Sequence, residues 1–400
     1  MKVLAIGGSG GMGRFAVKTA ENFADIESIL VADLNSDAAK QFSDTCGQKV
    51  SGIGLDVLNK EALQEILQDV DVVLNTSGPF FKLGVPILKA AIDARCNYLD
   101  ICDDWEPTIE MLNLNNRAKE KGITAVIGIG ASPGLTNLLG LMAINELDEV
   151  KKIYTGWNMG SAKPEKESSQ EGVNAAMEHA IEQMTGSIKV FKDGEFNYIK
   201  PLDRVTIDYP GSEKASARIF GHPEAITFPV YFPGLQESLN VAHGTEGGDL
   251  ILRLLLLLVE RKVLPKKIAA RIFGWLESKV PDPNLDTVSK LSLPEIYGLA
   301  IGIKDGKEAA VGVSIGESKS SEFLESSNIG MGAITGIPLA CALKMLIEGK
   351  ITKKGVLAPE SGVIDPQYFF SEFFSLLMSE LDNEKELIED FINISRSWEK

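Results

Sequence analysis

Short apolar runs alternate with amphipathic stretches over the first third of the chain. The runs are rich in Val, Ile and Leu, and several are continuous, which is typical of parallel strands that helices cover on both faces. Six strands are predicted in this way: Val3–Ile6, Ile29–Asp33, Val50–Leu55, Val70–Asn75, Asn97–Asp100 and Thr124–Ile129. Helical patterns lie between them, near residues 13–24, 37–45, 60–68, 84–95 and 106–121. This alternation predicts an α/β fold with a doubly wound parallel sheet.

The pattern changes near Lys151 to short β-rich runs. The strands predicted there are residues 152–157, 187–192, 196–199, 204–209, 217–220 and 225–228. Two further runs, Tyr297–Lys304 and Lys307–Ile315, flank Asp305-Gly306, a dipeptide typical of a tight hairpin turn. Helices are predicted near 172–185 and 248–280, and the polar stretch Gly160–Gly172 predicts an exposed loop that either covers a site or only connects two elements. Together these elements predict a second, α+β domain.

A glycine-rich loop follows the first predicted strand. Gly8, Gly10 and Gly13 have the spacing G-x-G-x-x-G, and Asp33 ends the second strand twenty residues later. In this context the glycines allow a tight turn, close approach to a pyrophosphate and close packing of helix on sheet, while the carboxylate binds ribose hydroxyls. The loop therefore predicts a Rossmann-type dinucleotide-binding domain. The expected loop contacts are Gly8, Ser9, Gly10, Gly11, Met12 and Gly13.

The carboxylate of Asp33 also bears on the choice of cofactor. It repels the 2′-phosphate of NADP, and no Arg or Lys follows it immediately, so NAD is favoured. NADP stays possible, because Asn35 and Ser36 offer polar groups to a phosphate.

The C-terminal part of the chain is again predicted to be helical. One helix has Pro338 in its first turn and ends at Gly349, and a second, Pro366–Leu381, carries five aromatic residues that are more typical of a core than of a cofactor site. We expect a dinucleotide-binding domain at residues 1–135, a substrate and dimerisation domain at 136–330, and C-terminal helices at 331–400 that return to the dinucleotide-binding domain.

Composition and charge exclude several classes of function. The chain has 400 residues and a net charge of −16, and so acidic a surface repels nucleic acids. Its 4 cysteines have no C-x-x-C spacing and it has only 3 histidines, so neither a disulfide framework nor a metal site is predicted. The run Leu254–Val259 is far shorter than the roughly 20 residues of a membrane span, and it predicts a buried or dimer-interface helix, with membrane-surface contact as the alternative. We expect a cytoplasmic protein.

Polar and glycine-rich segments follow the fourth, fifth and sixth predicted strands. They are Asn75–Phe80, Tyr98–Asp104 and Gly130–Asn137. Ligands of open parallel sheets bind at the carboxyl ends of the strands, so these segments predict one site. Carboxylates crowd the second segment, and shielding from water favours a raised pKa for one of them. We therefore expect acid or base chemistry there, although acids before a helix also stabilise its N-terminus.

Four motifs together resemble the saccharopine dehydrogenase (reductase) family. They are the glycine loop, Asn75-x-x-Gly78-Pro79-Phe80, Tyr98-Leu99-Asp100, and Pro133-Gly134-Leu135-Thr136-Asn137. The resemblance extends to residues 221–224, 335–338 and 355–360, so it covers nearly the whole chain. It implies a bilobed NAD(P)-dependent oxidoreductase that acts at a C–N bond of an amino acid. Ser132 and the segment Cys102–Asp104 depart from the pattern, which leaves the substrate open.

The strand ends and the resemblance together predict the remaining site residues. Further cofactor contacts are expected at Asn75, Thr76, Ser77, Gly78 and Pro79. The catalytic candidates are Asp100, Cys102, Asp103 and His243. An imidazole titrates near neutrality, although a structural role is more frequent for a single histidine. The candidates for substrate binding are Ser132, Pro133, Gly134, Arg204 and Arg218, with the arginines directed at carboxylates.

These predictions favour an oxidoreductase that moves a hydride between NAD, or NADP, and the C–N carbon of an amino acid or an amino-acid imine adduct. We expect a homodimer that binds a small-molecule amino-acid substrate, with no nucleic acid, no integral membrane contact and no metal. Two alternatives stay open. One is a dinucleotide-binding redox sensor or scaffold without turnover, and the other is a reductase of a lipid-like substrate.

Overall fold

A computed structural model describes residues 1–159, 180–181, 183–244, 249–277, 293–315, 330–380 and 391–398. The chain divides into two compact units, residues 1–138 with 322–390 and residues 139–321 with 391–400. The loop predicted at Gly160–Gly172 lies outside the described residues, as does most of the helix predicted near 172–185. Within the described ranges, no helix is long and apolar enough to cross a membrane, and no three His, Cys, Asp or Glu side chains form a group that could hold a metal ion.

Strands and helices alternate up to residue 145, and strands dominate the second unit. The strands of the described residues are β1 (Lys2–Ile6), β2 (Ser28–Asp33), β3 (Val50–Gly54), β4 (Val72–Asn75), β5 (Asn97–Asp100), β6 (Thr124–Val126), β7 (Glu149–Asn158), β8 (Ile188–Lys192), β9 (Glu195–Ile199), β10 (Arg204–Ile207), β11 (Ala215–Phe220), β12 (Glu237–His243), β13 (Ile296–Lys304), β14 (Lys307–Ile315), β15 (Gly355–Leu357) and β16 (Ile392–Arg396). The α-helices of the same residues are α1 (Gly13–Ala20), α2 (Ser36–Ser43), α3 (Lys60–Leu67), α4 (Phe80–Ala94), α5 (Trp105–Leu112), α6 (Asn115–Lys121), α7 (Leu135–Asn145), α8 (Glu224–Tyr231), α9 (Asp249–Glu260), α10 (Lys266–Glu277), α11 (Met331–Ile347) and α12 (Pro366–Glu380).

The first unit contains a sheet of seven strands in the order β15-β6-β5-β4-β1-β2-β3. All of its pairings are parallel. Every residue of β4 is buried, as expected for a strand covered on both faces. The strand order reverses at β1, between β2 and β4, and doubly wound sheets bind ligands at the carboxyl ends beside such a reversal. The predicted α/β fold is confirmed.

The C-terminal segment completes this sheet. β15 pairs with β6, with Gly355 opposite Thr124. α11 packs on α1 so closely that a Cβ atom on Gly336 would collide with the carbonyl oxygen of Met12. The four phenylalanines of α12 are buried in the core. This part of the chain therefore supports the loop that precedes α1.

The second unit is built on a mixed sheet. Its main path is β10-β11-β12-β7-β13-β14-β16, and β8 pairs with both β12 and β9. β7 and β12 are parallel, whereas β13 and β14 form the predicted hairpin, with Lys304 opposite Lys307 and both turn residues, Asp305 and Gly306, at positive φ. The predicted α+β second domain is thus present.

Several segments differ from the sequence-based prediction. The helix predicted near 106–121 is divided into α5 and α6. The helix predicted to have Pro338 in its first turn begins at Met331, so Pro338 lies in its interior. Ala225–Phe228 lies in helix α8 rather than in a strand, because a short apolar run that is buried on all sides does not distinguish the two structures. Glu237–His243 is a strand that the sequence analysis missed. The helix predicted over 248–280 is divided into α9 and α10, with Lys262 at a φ of +57° between them. Ile392–Arg396 pairs with β14, so the end of the chain extends the second sheet.

Candidate active site

The glycine loop connects β1 to α1 by a tight turn. Gly7 has a φ of +73°, and its N–H donates to the carbonyl of Ala32 at 2.8 Å. The turn therefore depends on Gly7, which directly precedes the three glycines of the predicted motif. A Cβ atom on Gly13 would collide with the carbonyl oxygen of Gly7, so only glycine lets α1 start this close to β1.

The outer side of this loop is open. A Cβ atom on Gly11 would meet no heavy atom within 4 Å. Met12 is the N-cap of α1 and makes no side-chain capping hydrogen bond. The first N–H groups of a helix have no partners within the helix, and they favour an anion such as a diphosphate. The loop thus offers both the room and the donors that a dinucleotide pyrophosphate requires.

Asp33 ends β2 with both carboxylate oxygens engaged. Ser9 Oγ donates to Oδ2 at 2.6 Å, and the N–H of Asn35 donates to Oδ1 at 3.2 Å. The side-chain oxygen of Asn35 accepts the N–H groups of Asp37 and Ala38 and so caps α2. The carboxylate is therefore held beside the glycine loop, where a bound ribose would lie.

Arg14 is a cation beside the loop that the sequence analysis did not consider. Its Nη2 donates to the carbonyl of Ser9 at 3.4 Å, and its buried Nε has no hydrogen-bond partner among the described residues. Its place directly after Gly13 in the motif was a usable signal, because a guanidinium next to a phosphate-binding loop suits phosphate oxygens.

The turn after β4 lies against the glycine loop. Thr76 Oγ1 donates to the carbonyl of Ile6 at 3.1 Å, and a Cβ atom on Gly7 would lie 2.8 Å from the amide nitrogen of Ser77. The peptide bond between Gly78 and Pro79 is cis, and Pro79 is the N-cap of α4. The two groups of expected cofactor contacts are thus neighbours.

A chain of side-chain hydrogen bonds joins the ends of β4 and β5. Ser77 Oγ donates to Asn75 Oδ1 at 2.6 Å, and Asn75 Nδ2 donates to the Tyr98 hydroxyl at 2.9 Å. The Tyr98 hydroxyl in turn donates to Asp100 Oδ2 at 2.8 Å. Asn75, Tyr98 and Asp100 are completely buried. Tyr98 was missing from the predicted site, although its place two residues before Asp100 on the same face of β5 was a signal.

Asp100 joins this chain to the segments that follow β5 and β6. Its Oδ1 accepts the N–H of Gly128 at 2.7 Å and the N–H of Cys102 at 3.1 Å. Burial raises the pKa of the Asp100 carboxyl to about 6, and the hydrogen bonds from Gly128, Cys102 and Tyr98 oppose that rise. These donors hold the carboxyl between the two segments.

The next three residues have different surroundings. Cys102 is buried, and burial together with the charges of Asp100 and Asp103 raises the pKa of its thiol well above the ordinary value, so the thiol is neutral. Asp104 is buried and accepts the N–H of Phe81 at 3.3 Å, at the start of α4, where a negative charge is stabilising. Asp103 is half-buried, so it is the carboxylate of this segment that reaches the surface of the unit.

The turn before α7 contains the three residues expected to bind substrate. Ser132 is half-buried, its bond to Pro133 is cis, and Gly134 has a φ of +124°. The N–H of Gly134 donates to Asn137 Oδ1 at 2.8 Å, and Asn137 Nδ2 donates to Glu360 Oε2 at 2.8 Å. Glu360 is buried and comes from the C-terminal segment, so it anchors this turn, a role that the sequence analysis missed.

The remaining expected residues belong to the second unit. Arg204 on β10 lies directly opposite Arg218 on β11, the first exposed and the second half-buried. Residues paired across two strands share a face of the sheet, and Arg218 Nη1 donates to the carbonyl of Leu202 at 3.5 Å. His243 ends β12 and is buried, and its Nε2 lies 2.9 Å from the carbonyl oxygen of Pro294. Burial lowers the pKa of His243, which favours a neutral ring whose N–H donates to the carbonyl of Pro294.

Comparison with known proteins identifies relatives along the whole chain. Residues 3–126 match the family profile described as the saccharopine dehydrogenase NADP binding domain. Carboxyaminopropylagmatine dehydrogenase of Synechocystis sp. is 23% identical over 389 residues, which cover 93% of this chain and 95% of that protein. Carboxynorspermidine synthase of Vibrio cholerae is 21% identical over 92% of this chain and 93% of its own length. The structure of apo saccharopine dehydrogenase (L-Glu forming) from Saccharomyces cerevisiae has the same fold, with a TM-score of 0.59 at 17% identity over 99% of both chains.

These findings agree with the geometry of the first unit. The matched segment, residues 3–126, contains the open glycine loop, the buried strand ends and Asp33. The relatives extend through the second unit as well, so both units belong to one architecture. The resemblance that the motifs indicated is confirmed. The chain is similar to saccharopine dehydrogenase-like NAD(P)-binding oxidoreductases over nearly its whole length, and its residues 3–126 match the NADP-binding domain of that family.

Proposed function

We propose that the protein moves a hydride between NAD and the C–N carbon of an amino acid or an amino-acid imine adduct. The observation that carries this proposal is the cluster of polar strand ends, after β4, β5 and β6, on the edge of the sheet that bears the glycine loop. Ligands of doubly wound sheets bind at that edge. Two relatives are named for carboxyl derivatives of norspermidine and aminopropylagmatine, which supports a substrate with both carboxyl and amine groups.

In this proposal NAD is preferred and NADP is the weaker ligand. The pyrophosphate lies on the loop Gly8–Gly13, and the ribose hydroxyls meet Asp33. Ser9 supports the preference, because its 2.6 Å hydrogen bond holds the carboxylate in place, and a fixed negative charge repels a 2′-phosphate. The turn Asn75–Pro79 lines the same cofactor. When bound, the nicotinamide supplies or accepts the hydride.

We assign the proton at the substrate nitrogen to Asp103. Hydride delivery to an imine requires a proton on nitrogen, and a positioned carboxyl group can supply it. Asp103 is half-buried just after β5, whereas the carboxylates of Asp100 and Asp104 are buried and accept backbone N–H groups. Asp100 acts here as a positioning residue that holds the backbone of Cys102 and Gly128, and Cys102 and His243 take no part in proton transfer.

We assign the recognition of a substrate carboxylate to Arg204 and Arg218. Guanidinium groups hold carboxylates by paired hydrogen bonds. The turn Ser132–Gly134, anchored by Glu360, lines the substrate in the first unit.

A substrate screen that follows the absorbance of reduced nicotinamide tests this proposal. Keto acids and semialdehydes are each offered alone and together with amino acids or polyamines. We expect NADH to be oxidised only when carbonyl and amine are both present. Asp103→Asn is expected to lower kcat ~10²-fold, the usual size of one acid–base contribution, while the Kd for NADH changes only a few-fold. NADH binding without turnover on any pair contradicts the proposal and favours the redox sensor or scaffold.

We also propose that the protein acts in the cytoplasm as a homodimer. The four cysteines are free thiols, which is typical of a reducing compartment. Light scattering is expected to give twice the mass of one chain, and the mass of a single chain at micromolar concentration contradicts the dimer.

A further inference from the structure

One short segment of the second unit is positively charged, whereas the chain as a whole is acidic. Residues 261–276 contain 5 cations and no Asp or Glu, although the net charge of the whole chain is −16. The cations are Arg261, Lys262, Lys266, Lys267 and Arg271. Four of them are exposed and Lys266 is half-buried. Positive charge is thus concentrated at the turn between α9 and α10 and along the first turns of α10.

Aliphatic side chains are exposed among these cations. Leu254 and Leu257 lie three residues apart, hence on one face of α9, and are 55% and 40% exposed. Val263 is 68% and Ile268 46% exposed. The opposite face of α9 packs into the core of the unit through Leu255, Leu256 and Val259. α9 therefore has two apolar faces, and one of them packs against the core of the unit. An ordinary surface helix carries polar residues on its outer face instead.

The turn that presents these side chains is well ordered. α9 ends in a Schellman motif, in which the N–H of Val263 donates to the carbonyl of Leu258 and the N–H of Lys262 to that of Val259, both at 2.9 Å. The residue at the position of Val263 usually packs back on the helix in this motif. Here Val263 points outwards beside Arg261 and Lys262 instead, so its exposure comes from a fixed backbone and not from a frayed end.

We propose that this basic hairpin, residues 254–271, binds the surface of an anionic lipid bilayer. Aliphatic side chains interleaved with Lys and Arg at one surface are typical of elements that lie in the headgroup region of a membrane. The aliphatic groups enter the acyl boundary, and the cations remain at the level of the lipid phosphates. The acidic remainder of the chain is repelled by the same surface, so contact is confined to the hairpin.

Vesicle co-sedimentation tests the proposal with the full-length protein. The probes are vesicles of phosphatidylcholine alone and vesicles that also contain phosphatidylglycerol. Three variants are compared with the unaltered chain. Arg261→Gln with Lys262→Gln and Lys267→Gln removes charge, Val263→Ser with Ile268→Ser removes aliphatic surface, and Lys192→Gln with Lys307→Gln is a control at exposed lysines elsewhere on the second unit.

We expect the unaltered protein to bind the vesicles that contain phosphatidylglycerol and not the vesicles of phosphatidylcholine alone. Each cation near such a surface contributes on the order of five-fold to partitioning, so the triple change should reduce binding ~10²-fold, with the control unchanged. NADH affinity should be unaltered in all variants, which separates this proposal from the catalytic one. The proposal is wrong if the protein binds both kinds of vesicle equally or binds neither. It is also wrong if the control variant loses as much vesicle binding as the triple variant. A further result would contradict the proposal: the protein associates with itself without vesicles, in a concentration-dependent way, and the triple change abolishes this association. The hairpin would then be an interface between copies of the chain.

Discussion

Asp100→Asn should remove one component of the pH dependence of folding. Burial raises the pKa of this carboxyl from 3.8 to about 6 in the folded protein. The folded state therefore holds the proton more tightly than the unfolded chain does, and the resulting stability is present at low pH and lost as the pH rises through about 6. Asparagine keeps an oxygen for the N–H groups of Gly128 and Cys102 but does not ionise.

The size of the effect follows from the shift in pKa. Two pKa units correspond to about 3 kcal/mol, and because the group is completely buried, solvent screening does not reduce this value. With an unfolded pKa near 3.8, about 2 kcal/mol of that stability should be lost between about pH 4.5 and about pH 7.5. The variant also alters the hydrogen bond to Tyr98, but the cost of that change is the same at every pH. The quantity to compare is therefore the change in the free energy of unfolding with pH, and not its absolute value.

Urea unfolding followed by tryptophan fluorescence at both pH values measures this slope. Tyr98→Phe extends the test, because it removes a donor that favours the charged carboxylate and should raise the pKa of Asp100 further. Tyr297→Phe is the matched control, since that hydroxyl is equally buried but has no hydrogen-bond partner among the described residues. Equal slopes for the unaltered chain and Asp100→Asn would refute the reasoning, as would equal slopes for the two tyrosine variants.

Three further predictions concern the first unit. Asp33→Ser should narrow the difference between the Kd values of NADH and NADPH, and Ser9→Ala should do so to a smaller extent, as measured by fluorescence titration. Tighter binding of NADPH by the unaltered chain would contradict this order. Gly336→Ala should destabilise the unit by about 1–3 kcal/mol in thermal unfolding and weaken NADH binding, because its Cβ meets the carbonyl of Met12, and an unchanged Tm would show that α11 can move away. Cys102→Ala should keep kcat within a few-fold, since the thiol is buried and neutral, and a large loss would make it a catalytic group.

The architecture of the first unit could be predicted from the local pattern of apolar and polar residues. A strand such as Val72–Asn75 is covered on both faces, so its composition alone marks it as buried and parallel. The hairpin at Asp305-Gly306 could be predicted as well, because the two residues that form its turn are adjacent in the sequence. The run Ala225–Phe228 could not, since its helical state depends on how its surroundings bury it.

The candidate site shows the same division. The spacing of Gly8, Gly10 and Gly13 before α1 indicated where a dinucleotide binds, because the turn and the helix start are formed by neighbouring residues. The cluster of acids after β5 was also visible, but not which of them is buried. Asp103 and Asp104 are adjacent in sequence, yet Asp103 is half-buried whereas Asp104 is buried and accepts the N–H of Phe81 at the start of α4.

The order of the elements in the first unit, the cofactor loop and the strand ends at which the chemistry is expected were all predictable from local sequence, because each depends on residues close along the chain. The surroundings of Asp100 arise only in the folded chain, since its hydrogen bond with Gly128 joins residues 28 positions apart and burial raises the pKa of its carboxyl. The same holds for Glu360, which anchors Asn137 across 223 residues. Burial and hydrogen bonds between distant segments arise only when the chain has folded, so no local pattern records them.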